Sequence, residues 1–231
     1  MSFPSMNFSP LNESAKIHPA AVIFDMDGLM LDTERPIIPI WIKAGKTFGY
    51  DIARQTVIRT IGIDGNGTRA IITADFGPDF PYDKIHDEAR RLNNEEFEKG
   101  IAHRPGLDVL LDHLSFLKIP MAVATSTRHI SARKKLSIAG IEDRFDVIVG
   151  GDEISRGKPA PDIFLMAAEK LGKDPSECIG FEDSPAGLMA LHTAGMRSVF
   201  VQDMVEPPAE VLSTVWRICK DLAEAAELFG A

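Results

Sequence analysis

Residues 20–28, with the sequence AAVIFDMDG, determine the fold of this chain. Residues 20–24 are five apolar residues in a row, a pattern typical of a short strand buried on both faces of a parallel sheet. Asp25, Asp27 and Gly28 then end the apolar run. Open parallel sheets bind ligands at the carboxyl ends of their strands. The sequence therefore predicts that both carboxylates lie at the mouth of a site.

Two carboxylates this close together indicate a bound cation. Like charges repel, so one carboxyl group takes up a proton or the pair shares a cation. Mg²⁺ prefers oxygen ligands and typically uses one or two carboxylates together with substrate phosphate. An acidic turn is the plain alternative, because Asp and Gly are common turn residues. An EF-hand loop is excluded, because Leu29 and Met30 stand where an oxygen ligand and the sharp-turn glycine belong.

Composition and charge are those of an ordinary globular chain. Of its 231 residues, 45% are hydrophobic and 26% are charged, which allows a core of normal size. The formal charge of −9 argues against a nucleic-acid surface, which needs clustered Lys and Arg. It suits a site that recruits cations to handle an anionic substrate.

Cysteine content and apolar runs bear on the expected location. Cys178 and Cys219 are too few for a disulfide framework, so we expect a cytoplasmic protein. No run approaches eighteen apolar residues, so we expect no membrane span. Residues 1–18 lack the apolar segment of a secretory signal, and we expect them to form a poorly ordered extension before the first strand.

The pattern of apolar residues changes between residues 35 and 103. Strand-like runs disappear there, and apolar residues recur at helical spacing around residues 37–48 and 82–97. Residues 62–67 read as a flexible loop between helical segments. We therefore expect a small helical cap domain inserted after the first strand, able to exclude water and select substrates. The expected domains are an extension (1–19), a core (20–34 and 104–231) and a cap (35–103).

Strands and helices alternate after the inserted segment. This alternation predicts a doubly wound α/β fold, a parallel sheet covered by helices on both faces. The predicted later strands are residues 120–125, 146–150, 178–181 and 197–201, and the predicted helices are residues 107–117, 129–139, 161–171, 186–193 and 211–229.

Polar side chains stand at the ends of the other predicted strands. Thr125 and Ser126 end the second, Lys158 lies in the loop after the third, and Glu182 and Asp183 end the fourth. Parallel strands end on one edge of the sheet, so we expect these groups to share one crevice with the first-strand carboxylates. Each also has a plain reading as a helix cap, a solvated lysine or acids near a helix N-terminus.

The ordered motifs carry a resemblance to a known family. They are Asp25-Met-Asp-Gly, Thr125, Lys158 and Glu182-Asp183. In this order and spacing they resemble the four motifs of the haloacid dehalogenase superfamily, over essentially all of residues 20–202. The helical insertion resembles the branch of sugar-phosphate phosphatases and β-phosphoglucomutases. This resemblance implies a Mg²⁺-dependent phosphatase that hydrolyses a small phosphate monoester through an aspartyl-phosphate.

The same resemblance implies roles for the first-strand carboxylates and the acidic pair. Asp25 is the nucleophile, and Asp27 is the general acid and then the general base. The magnesium ligands are the Asp25 carboxylate, the Asp27 backbone carbonyl and Asp183. Glu182 either binds the metal directly or supports a residue that does.

The remaining groups are two further catalytic residues, Thr125 and Lys158, and four residues expected to bind the substrate. Thr125 donates to a phosphoryl oxygen, and Lys158 adds positive charge beside the phosphate. Ser126, which follows Thr125, is expected to contact the substrate. The cap residues expected to contact the substrate are Asn66, Thr68 and Arg69. We expect a monomer acting on a small phosphorylated metabolite, with neither nucleic acid nor membrane as a partner.

Two alternatives to a phosphatase stay open. β-Phosphoglucomutases resemble this chain, but they carry a histidine where it has Ile37 and an arginine near Asp64. Asp64 would repel a phosphate, although Arg69 is close enough in sequence to replace that arginine. This difference favours a phosphatase over a mutase. A non-catalytic phosphate-binding or regulatory protein is the third reading, and it is disfavoured because Asp25, Asp27 and Asp183 are all present.

Overall fold

The computed structural model describes residues 16–63 and 65–230. Residues 1–15 of the expected extension lie outside the described residues, and so does Asp64. The last residues before the first strand are hydrogen-bonded to the C-terminal segment: Ile17 N donates to Leu228 O (2.9 Å) and Gly230 N to Ile17 O (3.0 Å). The chain divides into two compact units, residues 16–31 with 103–230, and Asp32–Ala102.

The first unit is built on one sheet of six parallel strands. They are β1 (Ala21–Phe24), β2 (Met121–Ala124), β3 (Val147–Val149), β4 (Cys178–Glu182), β5 (Arg197–Val201) and β6 (Arg217–Cys219). Their order in the sheet is β3-β2-β1-β4-β5-β6. All four β1 residues are buried, as expected for a central strand covered on both faces. The predicted doubly wound parallel sheet is confirmed.

Helices cover both faces of the sheet. Those of the first unit are α5 (Leu107–Phe116), α6 (His129–Ile138), α7 (Asp162–Leu171), α8 (Pro185–Thr193), α9 (Ala209–Leu212) and α10 (Leu222–Ala226). The side chains of Ala21 and Ile23 pack with residues of α7 and α8 in one apolar cluster. Phe24 stacks on Phe181, with ring centroids 5.1 Å apart, and Phe181 lies near Phe229. Both alternate sets of β1 side chains are therefore buried in apolar surroundings.

The C-terminal segment differs from the sequence prediction of one closing helix over residues 211–229. It contains the short helix α9, the sixth strand β6 and the helix α10. β6 pairs with β5, Val199 with Arg217 and Val201 with Cys219. Ile218, between them, is 55% exposed. Three residues are too few to show the alternation of apolar and polar side chains that distinguishes a strand from a helix. The pairing with β5 therefore determines the structure of this edge strand.

The second unit is helical. It comprises α1 (Ile37–Thr47), α2 (Arg54–Ile58), α3 (Gly65–Phe76) and α4 (Tyr82–Phe97), with α1 and α4 packed against each other. The loop predicted over residues 62–67 is wrong in part, because α3 begins at Gly65. No helix in residues 16–63 and 65–230 is long and apolar enough to cross a bilayer.

Candidate active site

Asp25 follows β1 directly and continues its register with β4. The Asp25 N–H donates to Phe181 O (3.0 Å), and Phe24 is paired with both Val123 and Phe181. Asp25 therefore stands level with Ala124 and Glu182 at the carboxyl edge of the sheet. It is only 7% exposed, so this carboxylate is fixed by rigid backbone and largely removed from water.

Lys158 connects the ends of three neighbouring strands. Its Nζ donates to Asp25 Oδ1 (2.5 Å), to Glu182 Oε1 (2.6 Å) and to the backbone oxygen of Ala124 (3.2 Å). The lysine side chain is 7% exposed. The structure thus brings Lys158, Asp25 and Glu182 together, as expected from their positions after adjacent strands.

Burial and charge shift the pKa values of this group. Burial raises the pKa of Asp25 to about 7. Lys158 acts in the opposite direction, and the charges of Glu182 and Asp27 raise the pKa further. Burial alone would lower the pKa of Lys158, but Asp25 and Glu182 outweigh it and hold that pKa above its ordinary value. At Asp25, burial and the neighbouring carboxylates together therefore outweigh the opposing effect of Lys158.

Glu182 is held at both carboxylate oxygens. While Oε1 accepts from Lys158, Oε2 accepts from the backbone N–H of Asp183 (3.0 Å) and from the N–H and hydroxyl of Ser184 (both 2.9 Å). It also lies against Gly187, where an added Cβ would come 1.7 Å from Oε1. Glu182 is completely buried. These contacts make it a rigid anchor for Lys158.

One acidic cluster of the first unit fits a metal ion. Ligand oxygens of Asp25, Glu182 and Asp183 lie within 4.8 Å of one another, and all three residues are buried. Carboxylate oxygens are the donors that hard divalent cations such as Mg²⁺ prefer. A bound cation would also favour the charged form of the Asp25 carboxylate, which burial disfavours. The donor set and the charge balance therefore both fit such an ion.

Asp27 is oriented by two side chains from the segment after β2. Lys135 Nζ donates to Asp27 Oδ1 (2.6 Å), and the Thr127 hydroxyl donates to Oδ2 (2.7 Å). The Thr125 hydroxyl lies 3.5 Å from the same Oδ2. The Asp27 side chain is 26% exposed, so it has more access to solvent than Asp25. These contacts orient a carboxyl group that can exchange protons with bound molecules.

Sequence reasoning missed Thr127 and Lys135. Thr127 lies two residues after Thr125 in the same loop, and its N–H donates to the Thr125 hydroxyl (3.1 Å), so a search of the whole loop could have found it. Lys135 lies in the second turn of α6, away from any strand end. Nothing in the local sequence distinguishes it from an exposed helix lysine.

Gly28 allows the turn that carries Asp27. Its φ of 87° is a left-handed conformation that favours glycine. The Gly28 N–H donates to Leu31 O (3.0 Å), and the Leu31 N–H donates to Met26 O (3.1 Å). The backbone thus folds back immediately after Asp27 and holds its position relative to Asp25.

The loop after β2 is closely packed against the loop after β3. Thr125 is buried, and its N–H donates to Val149 O (3.1 Å), whereas Ser126 is exposed. A Cβ added at Gly151 would come 2.3 Å from Ser126 O. A glycine is therefore required there for the two loops to meet, and this contact fixes the backbone on either side of Ser126.

The three expected cap residues lie on α3 of the helical unit. Asn66 and Arg69 are exposed, and Thr68 is half-buried. Arg69 is ion-paired with Asp83 and lies 4.2 Å above the Tyr82 ring. These contacts occupy its guanidinium within the helical unit. Substrate contact by these three cap residues stays a prediction.

Comparisons with known proteins agree on one family. The family model described as haloacid dehalogenase-like hydrolase matches residues 22–201. A bifunctional riboflavin kinase/FMN phosphatase from Arabidopsis thaliana is 31% identical over 195 residues, covering 84% of this chain. A phosphorylated carbohydrates phosphatase from Thermotoga maritima is 31% identical over 185 residues, covering 78% of this chain and 83% of that protein.

A solved structure gives the same result, and one relative is much longer than this chain. The crystal structure of a β-phosphoglucomutase from Clostridium difficile superposes with a TM-score of 0.71 at 26% identity, over 89% of this chain and 92% of that one. The match to the Arabidopsis protein covers only 51% of that protein. This chain therefore spans about half the length of its plant relative.

Proposed function

This chain belongs to the haloacid dehalogenase-like hydrolases, and we propose that it is a phosphatase of small phosphate monoesters that uses Mg²⁺ and an aspartyl-phosphate intermediate. The observation that carries the proposal is the buried contact of Lys158 with both Asp25 and Glu182, beside Asp183. It combines a fixed carboxylate nucleophile, a cation for the phosphate and oxygen ligands for a metal.

The proposed reaction has two steps. In the first, an oxygen of Asp25 attacks phosphorus, the bond between phosphorus and the ester oxygen breaks, and Asp27 gives its proton to the leaving alkoxide. In the second, water attacks the phosphorus of the aspartyl-phosphate while Asp27 takes up a proton from that water. Inorganic phosphate then leaves, and the Asp25 carboxylate is restored.

The Asp25 and Asp183 side chains and the Asp27 backbone carbonyl would hold Mg²⁺. The ion would supply positive charge that lowers the repulsion between the Asp25 carboxylate and the phosphate. Glu182 is hydrogen-bonded to Lys158 and to backbone N–H groups. We therefore propose that Glu182 holds Lys158 in place and does not bind the metal directly. Lys158 keeps the Asp25 carboxylate in one orientation and adds a second positive charge.

The substrate proposed here is a sugar phosphate or a related metabolite. Relatives in this branch are named as phosphatases of phosphorylated carbohydrates and of fructose 1-phosphate. We propose that residues 35–103 act as the cap that selects the ester, through Asn66, Thr68 and Arg69, and that residues 20–34 and 104–231 form the catalytic core. We further propose a cytoplasmic monomer, in keeping with the two free cysteines.

A mutase is the second candidate, because one of the structural relatives is a β-phosphoglucomutase. The half-buried Ile37 at the start of α1 favours the phosphatase, since an apolar side chain cannot replace the hydrogen bonds of a histidine. The test is to supply β-glucose 1-phosphate with a trace of its 1,6-bisphosphate. A phosphatase releases inorganic phosphate, whereas a mutase forms glucose 6-phosphate with negligible free phosphate.

The proposed function is tested by hydrolysis of p-nitrophenyl phosphate and of a panel of phosphorylated metabolites. Turnover should require Mg²⁺, stop on addition of EDTA, and fall about 10³-fold or more in Asp25→Asn. Circular dichroism should show that the variant is folded. Undiminished turnover in EDTA or in folded Asp25→Asn would remove the basis for the proposed mechanism.

A further inference from the structure

A cavity lies at the amino-terminal edge of the sheet, opposite to the edge that carries Asp25. It has a volume of about 640 Å³, within the range of small-molecule sites. Its lining includes Ala20, Pro120, Glu177 and Arg197, which lie at or immediately before the first residues of β1, β2, β4 and β5. Because β1 has four residues, the cavity is about 13 Å from the catalytic edge of the sheet. It is therefore separate from the catalytic residues.

The lining of this cavity combines apolar residues with three basic side chains, which are termed its cationic rim. The apolar lining residues include Ile17, Pro19, Ala20, Pro120 and Ile179. Lys118, Lys173 and Arg197 provide three positive charges against the single carboxylate of Glu177. This surplus is local, because the whole chain carries a formal charge of −9.

None of the three cations is ion-paired with a carboxylate in the described parts of the chain. By contrast, Lys135, Lys158 and Arg104 in the same unit all have carboxylate partners. Cations that line one cavity repel each other, and a bound anion would relieve that repulsion. The rim therefore favours a negatively charged occupant.

Lys118 has a left-handed backbone conformation that glycine adopts after two other helices, α6 and α7. Its φ is 57°, the only positive φ of a non-glycine residue in the described part of the chain. It follows the C-terminus of α5, where its N–H donates to Ser115 O (3.0 Å). The equivalent residues after α6 and α7 are Gly140 and Gly172, with φ of 75° and 65°. A lysine in this conformation places a cation at the rim in spite of its backbone cost.

The other segments around the cavity are held by hydrogen bonds. Ala20 N donates to Glu177 O (3.0 Å), which joins the residues before β1 to those before β4. The Ser176 N–H and hydroxyl both donate to Asp174 Oδ1, at 2.8 and 2.7 Å. The backbone frame is therefore preorganised, which reduces the ordering needed when a ligand binds.

We propose that this cavity binds a small organic anion, with an apolar body against the apolar lining residues and a carboxylate, sulfonate or phosphate group at Lys118, Lys173 and Arg197. The ligand would contact the amino ends of strands whose carboxyl ends carry the catalytic groups. The site is thus distinct in position and in chemistry from the acidic catalytic edge.

The test uses the full chain in EDTA at low salt and the fluorescent probe 8-anilinonaphthalene-1-sulfonate. Its uncharged analogue N-phenyl-1-naphthylamine serves as the matched ligand. Without a divalent ion, the catalytic edge presents mainly carboxylates and repels a sulfonate. The sulfonate probe should bind about tenfold more tightly than the uncharged analogue, and added NaCl should reduce this preference.

Lys118→Gly removes the charge and suits the backbone conformation. This variant should weaken binding of the sulfonate probe about fivefold to tenfold, while its melting temperature stays the same or rises. Adding Lys173→Gln should reduce the preference for the charged probe further, because only Arg197 then remains of the three cations. Lys84→Gln, an exposed lysine on α4, removes the same charge elsewhere and should leave the Kd unchanged.

The position of the probe is checked by amide chemical shifts. Shifts at Ala20, Lys118 and Arg197 are expected on titration with the sulfonate probe. The proposal is overturned if the probe does not bind, if its uncharged analogue binds equally well, or if Lys118→Gly leaves the Kd unchanged. Shifts confined to Asp25 and Thr125 would also contradict it.

Discussion

At the residue scale, Asp25 and Asp27 differ in their surroundings although they are two positions apart. Asp25 is nearly inaccessible and in contact with Lys158. Asp27 is more exposed and is held by Lys135 and Thr127. A carboxylate nucleophile must be fixed in place, whereas a group that exchanges protons must reach both the leaving group and water. The structure therefore supports different roles for the two carboxylates.

Lys135→Met should lower kcat about 10- to 100-fold with a smaller change in KM, because Asp27 would lose the cation that orients it. Steady-state kinetics with p-nitrophenyl phosphate measure this change. The matched control is Lys134→Met, which removes the same charge from the adjacent, exposed position of α6. A Lys135→Met variant with normal kcat would show that this contact is not needed for turnover.

Both thiols are predicted to be unreactive in the folded protein. The pKa is raised to about 11 for Cys178 and to about 12 for Cys219. Burial is the main cause at both thiols, and nearby acidic groups contribute to the same shift. The thiolate is the reactive form, and little of it is present at pH 8. A colorimetric disulfide reagent should therefore label neither thiol at pH 8, but should label both in guanidinium chloride. Rapid labelling of the folded chain would contradict this prediction.

At the scale of secondary structure, the register of β1 with β2 and β4 places the site. The strand ends were predictable because an apolar run that stops at a carboxylate, a hydroxyl or an acidic pair is visible in the sequence. The role of Lys135 was not predictable from the sequence, because it depends on how α6 packs beside β3. β6 was missed because its three residues become a strand only through pairing with β5.

Gly187→Ala should disturb both stability and activity. The added Cβ would come 1.7 Å from Glu182 Oε1, and this carboxylate has little freedom to move because it is bonded to Lys158 and Ser184. We expect a loss of about 1–3 kcal/mol in the free energy of unfolding and a clear fall in kcat. Urea unfolding and steady-state kinetics measure the two effects.

The matched control for this variant is Gly157→Ala, since a Cβ there meets nothing within 4 Å. Its free energy of unfolding should change by less than about 0.5 kcal/mol. Equal stability of the two alanine variants would show that the packing of α8 against Glu182 tolerates the added methyl group.

At the scale of the whole molecule, the proposed catalytic groups all belong to the unit of residues 16–31 and 103–230. The helical unit Asp32–Ala102 contributes none of the carboxylates of the Asp25 cluster. We have therefore proposed substrate selection as its role. Its amphipathic helices could be predicted from apolar spacing, but the residues that contact substrate could not, because substrate contact leaves no periodic pattern.

Thr68→Val should change kcat/KM unequally across a panel of phosphorylated metabolites, and by less for p-nitrophenyl phosphate, because a selecting residue interacts with the part of the ester beyond the phosphate. Lys84→Gln on α4 is the control in the same unit and should leave the relative rates unchanged. A uniform effect of Thr68→Val on all esters would remove Thr68 from the proposed selecting residues.

The central claim, that Asp25 carries the phosphoryl group during turnover, is tested most directly by chemical trapping. The enzyme is mixed with substrate and Mg²⁺ and quenched with sodium borohydride, which reduces an aspartyl-phosphate to homoserine. Peptide mass spectrometry then locates the modified residue. We predict homoserine at position 25, present only when both substrate and Mg²⁺ are added. Unmodified Asp25, or reduction at another carboxylate, in a sample that is releasing phosphate would contradict the account.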